Sequence, residues 1–266
     1  MSVATYTAKD VSTLRQMTGA GMLDCKKALD ETDGDIEKAA QLLREQGKAG
    51  AAKRSDREAS EGAVAAVRSG DAAAVVELRC ETDFVAKSAE FVALADELAA
   101  LVAAKGEDAV SELDDEIDNL RSTLKENISV GRVRRLVAEG GQVVDTYLHQ
   151  QAGRGVNAVG VVLEGGTEEL AHDIAVHVAF AKPAYLSRDD VPADEVAAER
   201  ATLETISRNE GKPESALGKI VEGRMNGWFK ERVLLDQSYV RDEKQTISGM
   251  LGSARIVAFA QVVVGA

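Results

Sequence analysis

Twice in this chain a pair of alternating segments is followed by an amphipathic helix, and that repetition limits the fold more than any other feature. In the first unit, residues 62–69 and 73–81 read as strands joined at Gly70-Asp71, a hairpin signal. A helix follows from Ser88, with Phe91, Leu94, Ala95, Leu98 and Leu101 recurring every three or four positions. In the second, residues 142–150 and 156–164 read as strands around the glycine-bearing turn 152–155, and a helix spans 167–181. Its Leu170, Ala171, Ile174, Ala175 and Val178 match the first helix in phase, though not in identity. Two strand-strand-helix units point to an α+β core of two related subdomains with antiparallel strands. Between them, residues 113–127 read as a helix and 131–138 as a strand.

The flanking regions are helical. Residues 6–47 give three short helices. Asp10 or Ser12 can cap the first, which carries Val11, Leu14 and Met17; residues 22–29 form the second; Asp35 caps the third. Residues 48–61, KAGAAKRSDREASE, lack an apolar stripe and read as a linker with room for some helix, its basic cluster a solvated tether. In 190–229 two thin stripes stand either side of the turn NEGKP: Val196, Leu203, Ile206, then Leu217, Ile220, Val221, Met225, Trp228. Such narrow stripes predict an antiparallel coiled-coil hairpin projecting from the body, in preference to two helices lying on the core. Residues 244–251 read as a helix and 254–264 as a closing strand. The expected division is 1–47 helical bundle, 48–61 linker, 62–140 first subdomain, 141–189 with 230–266 second subdomain, and 190–229 hairpin.

Apolar residues make up 45% of the 266, enough for folded domains with real cores. A net charge of −13 argues against direct nucleic-acid binding, which needs clustered Lys and Arg. No run approaches a membrane span and the opening MSVATYTAKD has no apolar core, so a cytosolic protein is expected. Cys25 and Cys80 make no disulfide framework; Cys80 falls on the apolar side of its strand, and Lys26 and Lys27 would lower the Cys25 pKa slightly.

Signatures of catalysis fail. Gly19-Ala20-Gly21 lacks a third glycine and follows a helix, and GRGVNAVG, residues 153–160, ends without Lys-Ser or Lys-Thr, so neither cradles a phosphate. His172 and His177 lie about 140° apart around a helix and cannot share one ion. His149, on a strand face with Asp145 and Tyr147, reads as a structural or interface histidine. No cofactor, metal or nucleotide is expected.

The segment ELRCETDFVAK, residues 77–87, carries the functional signal. Val76, Leu78 and Cys80 would face one side of a strand and Glu77, Arg79 and Glu81 the other, leaving Thr82, Asp83 and Phe84 on the turn into the next helix. A carboxylate beside a large ring is conspicuous in a chain with 4% aromatics. The ring either seals the end of the core or protrudes for use on a partner; the residues alone favour the seal, since most such turns bury an anchor.

TDFVAK, with LRQMTGAGMLDCKKAL at residues 14–29, resembles the two signatures of the bacterial translation elongation factor Ts family, from about Val11 onward. The resemblance implies a ubiquitin-associated-type (UBA-like) amino-terminal bundle and a guanine-nucleotide exchange factor, not an enzyme, whose partner is elongation factor Tu, GDP-bound or nucleotide-free. It implies that Thr82, Asp83, Phe84 and Val85 dislocate the partner's Mg2+, with the Asp83-Phe84 turn inserting between helices of its GTPase domain. Arg15, Met22 and Leu23 match the family's amino-terminal contact surface, and His149 a second-subdomain contact. Glu81 stands where the family usually has Gln, and Arg79 where a small or amide residue is common; on a polar strand face neither should matter. A homodimer is left open. The competing readings are a chaperone-like adaptor using the bundle and the coiled coil, and a thiol-dependent enzyme.

Overall fold

The structure, a computed structural model, describes residues 6–266; the side chains of Lys48, Ala49, Ala51 and Ala52 lie outside that description, as do the opening residues 1–5. Helices and antiparallel sheets share the chain, an α+β architecture. Strands β1 (Glu61–Ser69) and β2 (Ala72–Cys80) form a hairpin, and β3 (Ser129–Val137) pairs with β2. Strands β4 (Val143–Gln151) and β5 (Arg154–Glu164) form a second hairpin, and the closing strand Arg255–Val263 pairs with β5. Both sheets are antiparallel with the second strand of the hairpin in the centre.

Alternation explains the layering. Ala63, Ala65, Ala74, Val76, Leu78 and Cys80 point outward onto the helix Ala89–Lys105, meeting Phe91, Leu94, Ala95, Leu98 and Val102. The intervening Val64 and Val75 point the other way and meet Ala158, Ala260 and Val262 of the second sheet. There, Val159, Val161 and Leu163 face outward onto the helix Glu168–Ala181 at Ala171, Ile174, Ala175 and Val178. The core is therefore helix, sheet, sheet, helix. A central strand buried on both faces needs apolar residues at almost every position, as in AAAVV and AVGVVL. Contact between the sheets is close enough that a Cβ on Gly155 would lie 2.1 Å from the Val64 carbonyl oxygen.

That layering corrects the expectation for Glu77, which was placed on a polar outer face. It is fully buried between the sheets. Its register position faces a bulge where β3 carries an extra residue, and the freed Arg132 amide donates to the Glu77 carboxylate at 3.2 Å. Arg79 adds a hydrogen bond at 2.9 Å and the Gly265 amide one at 3.3 Å. Burial pushes the Glu77 carboxyl up, but these donors outweigh it and hold the group below the usual glutamate range. Arg79 is thus tied to a buried partner instead of sitting idle on a polar surface.

Three helices precede the sheets: α1 (Ala8–Thr18), α2 (Met22–Glu31) and α3 (Ile36–Arg54), packed around Leu14, Cys25, Ala28, Leu29 and Ala39. Asp35 caps α3 as expected, accepting from Glu37 and Lys38 amides, whereas α1 is capped by Thr7, with Asp10 closing a capping box from within the first turn. The third helix does not stop at residue 47. It runs on to Arg54 along α6 (Asp114–Leu124), joined by Arg44 to Asp115 at 3.1 Å and by the Arg54 guanidinium to the Arg121 carbonyl at 3.0 Å. Tertiary contact supplies the support that an apolar stripe does not.

The two-stripe region forms α8 (Ala193–Asn209) and α9 (Glu214–Arg232). Ion pairs Arg208–Glu214 and Arg200–Glu222 step in opposite directions along the helices, so the two run antiparallel. Val221, Met225, Trp228 and Phe229 are buried in the shared cluster with Val196 and Leu203 packed on it. Ile206, expected in the seam, is 41% exposed; the neighbouring Ser207 is buried instead, its hydroxyl satisfied by the Leu203 carbonyl. Near the end of the chain, residues 244–246 belong to a strand, Asp242–Thr246, and the short helix begins only at Ile247, capped by Thr246.

Candidate functional site

The turn after β2 is held from three sides. Glu81 and Thr82 amides both donate to one carboxylate oxygen of Glu126 at 3.0 Å, and the Thr82 hydroxyl donates to the other at 2.5 Å. Glu81 reciprocates: its carboxylate accepts the Asn127 amide at 2.6 Å, while the Asn127 side chain donates to the Ser55 and Arg57 carbonyls. Two acidic residues from distant segments thus each accept a backbone amide from the other's segment. The Cys80 thiol donates to the Thr82 carbonyl at 3.2 Å from beneath.

From this base rises a one-turn helix, α4 (Asp83–Ala86), with Thr82 as its N-cap accepting from the Val85 amide. Ala86 is fully buried and Val85 packs on the same core, so two of the four residues root the turn. Phe84 points the other way and is 83% exposed. The ring is not a seal on the core. Asp83 beside it is bound by Lys87 at 2.5 Å; that hydrogen bond holds its carboxyl below the usual aspartate range, and the Lys87 and Arg154 charges add to it. The site therefore presents an ionised carboxylate, half-shared with a lysine, next to an uncovered aromatic ring. Of the four residues expected to act, Thr82 is spent on the cap and clamp and Val85 on anchoring, leaving Asp83 and Phe84 outward.

A second uncovered apolar group lies on the amino-terminal helices. Met22 is 62% and Leu23 74% exposed at the start of α2, with Arg15 exposed in the last turn of α1. Met17, at helical spacing from Val11 and Leu14, is 58% exposed and joins them as an outward residue. The left-handed Gly19 ends α1 and Gly21 caps α2, so the break between the helices sits within this patch. Asp24 is tied to Lys125, at the end of α6, at 2.7 Å, which fixes the patch relative to the core. His149 is exposed on β4, opposite Asn157 of β5.

Glu126 and Met17 were not legible from the sequence: the clamp reaches across 44 and 45 positions, and Met17 shares the spacing of a core residue. Lys87 could have been found, since it stands four residues after Asp83 in a helical turn.

Both thiols are fully buried. Burial raises the Cys25 pKa, against the lowering expected from Lys26 and Lys27, and pushes Cys80 up to about 12. Among the described residues no group of three or more His, Cys, Asp and Glu could hold a metal ion, and no helix is long and apolar enough to cross a membrane.

A family model described as elongation factor TS matches residues 81–266. The elongation factor Ts of Clavibacter michiganensis subsp. michiganensis is 48% identical over 278 residues, covering 99% of this chain and 100% of that protein. Those of Kineococcus radiotolerans and Micrococcus luteus are 45% and 44% identical with the same coverage.

Proposed function

Because the chain belongs to the elongation factor Ts family and is thereby a translation elongation factor, we propose that it binds elongation factor Tu carrying GDP and speeds the nucleotide's release, working in the cytosol. Exchange of this kind needs no bond chemistry. The factor must hold the nucleotide-poor conformation of its partner more tightly than the GDP-bound one, and linkage then obliges the partner to hold GDP more weakly. A ten-thousandfold weakening requires about 5.5 kcal/mol of differential binding. A broad interface with a wedge at a sensitive point can supply it.

The wedge is the Asp83-Phe84 turn, and the observation that carries the reading is the 83% exposure of a phenylalanine whose backbone is clamped beneath it. A ring already in position loses little freedom on docking, so its burial in a partner's crevice goes into opening that crevice. Asp83 adds negative charge near the partner's magnesium site, where it disturbs the polar network without chelating the ion. Weaker magnesium coordination removes the positive charge that steadies the GDP phosphates. Lys87 must release or share Asp83 for this to happen. Arg15, Met22 and Leu23 on a UBA-like bundle, joined by Met17, supply a second contact on the GTPase domain, and His149 a third. The α8–α9 pair is read as a coiled-coil arm whose outer faces stay available.

The test mixes the chain with elongation factor Tu carrying fluorescent GDP. Phe84→Ala is expected to keep measurable binding and lower the stimulated release rate by about 30-fold or more, the loss of one strong anchor. An unchanged rate removes Phe84 from the mechanism. Binding by the parent chain without faster release would favour the adaptor reading instead.

A further inference from the structure

Phe180 is the other large ring left in water, 77% exposed in the last turn of the helix Glu168–Ala181, α7. The apolar stripe of α7 is buried at Ala171, Ile174, Ala175 and Val178, and Phe180 lies outside it. Its position is fixed. Lys182 ends the helix in the left-handed conformation (φ 49°) with its amide on the Val178 carbonyl, and Pro183 follows. The Ala179 carbonyl just before the ring accepts from the buried Asn157 side chain at 2.8 Å, which ties this end of α7 to β5.

Phe180 lines a cleft with His149, Arg154 and Lys182. In that cleft Arg154 donates to the Gly62 carbonyl at 2.5 Å and to Glu61 at 2.8 Å. Glu61 is the strand partner of Cys80, the residue from which the Phe84 turn departs, and the Arg154 charge acts on Asp83. The cleft, which spans residues of both sheets, therefore adjoins the strand end from which the turn departs. Glu61 neutralises Arg154 within the cleft, and Lys182 has no ion-pair partner among the described residues, so Lys182 supplies the unpaired positive charge there, on a chain of net charge −13.

We propose that Phe180 is a second aromatic anchor at that cleft, seating in an apolar depression of the same partner protein that receives Phe84, with Lys182 and His149 meeting carboxylates at the rim of the depression. The inference rests on the exchange-factor reading above. Adjacency to the strand end that bears the turn selects the same partner, and the net negative charge of the chain opposes a second copy of itself. Two anchors on a rigid scaffold divide the work: Phe84 disturbs the nucleotide site, and Phe180 holds the complex together long enough for that to matter.

The experiment measures binding to nucleotide-free elongation factor Tu and the release rate at saturation. Phe180→Ala is expected to raise Kd about 10- to 30-fold with the saturated rate unchanged, and Phe180→Leu to recover most of the affinity. Lys182→Glu is expected to weaken binding in a way that fades with added salt. As Phe180 is exposed, its thermal unfolding midpoint should not move. A Kd for Phe180→Ala within about twofold of the parent, a change of less than ~0.4 kcal/mol, overturns the inference. So does sedimentation showing self-association of the chain that Phe180→Ala abolishes, which would assign the ring to a second copy. Phe84→Ala run alongside separates the two readings: if it leaves release unaltered the exchange reading fails, whereas a normal Phe84 effect with a silent Phe180 sinks only this one.

Discussion

The two sheets of the core repeat one topology, hairpin, outer helix, third strand beside the hairpin's second, yet they leave the central strand in different ways. From β5 the chain passes through Gly165, Gly166 and the capping Thr167 directly into α7. From β2 it passes through Glu81, the one-turn helix α4 and the capping Ser88 before α5 (Ala89–Lys105) begins. The first connection is the shortest way to close a strand onto its helix. The second does the same structural job with an added turn that carries Asp83 and Phe84 outward, with the exposed Lys87 paired to Asp83. What a duplicated scaffold holds in common is packing; what it does not share is where function is to be sought.

The comparison can be broken most severely at the face the two halves share. Gly155→Ala sets a methyl 2.1 Å from the Val64 carbonyl oxygen and 2.7 Å from Leu148 Cδ1, and is expected to cost about 3 kcal/mol or more, read as a fall of several degrees in Tm. A next step separates the connections. Glu126→Ala strips three donors in the β2 connection of their acceptor and should cost about 2 kcal/mol while also slowing stimulated GDP release, because Phe84 loses its fixed base. The matching change in the other half, Thr167→Ala, removes the cap of α7 and should cost ~1 kcal/mol with release unaffected. Equal effects of the two on release would erase the distinction drawn here.

The smallest effect concerns pH. His177 in the second half is fully buried; the Val240 amide donates to its Nδ1 at 3.4 Å, so its Nε2 carries the proton given to Gln237 at 2.9 Å. Burial pushes its pKa below the ordinary histidine value, against the opposing hydrogen bond. The unfolded chain then binds a proton first as pH falls, so stability should decline from near the ordinary histidine pKa of about 6.5 downward and level off once the folded form is also protonated. Thermal melts of the parent and His177→Gln between neutral and mildly acid pH check this: the variant should lose less over that interval.

Much of the scaffold could be read from residue order alone. Phe91, Leu94, Ala95 and Leu98, and Ala171, Ile174, Ala175 and Val178, are buried where their phases placed them, and the Asp35 cap stands where it was expected. What periodicity could not supply was the second face of each central strand. Alternation shows that Glu77 and Val76 point oppositely, not that another sheet covers Glu77. The same blindness to distant neighbours hid the continuation of α3 on α6, the exposure of Met17 and the Glu126 clamp. Ile206 and Ser207 changed places because a one-residue shift in the seam is cheap when a serine hydroxyl can bond back into its own helix. For Phe84 the residues alone favoured the seal and only the resemblance of TDFVAK favoured a wedge; the 83% exposure of the ring overturns the seal.

A phenyl group left wet in the free protein has a colloidal consequence. Every molecule in a crowded solution carries the same sticky spot, and contact between two such spots would be rewarded by expelled water. The excess of acidic side chains across the rest of the surface gives each molecule a long-range repulsion from its neighbours, so a greasy tip can stay uncovered without drawing the population into clumps.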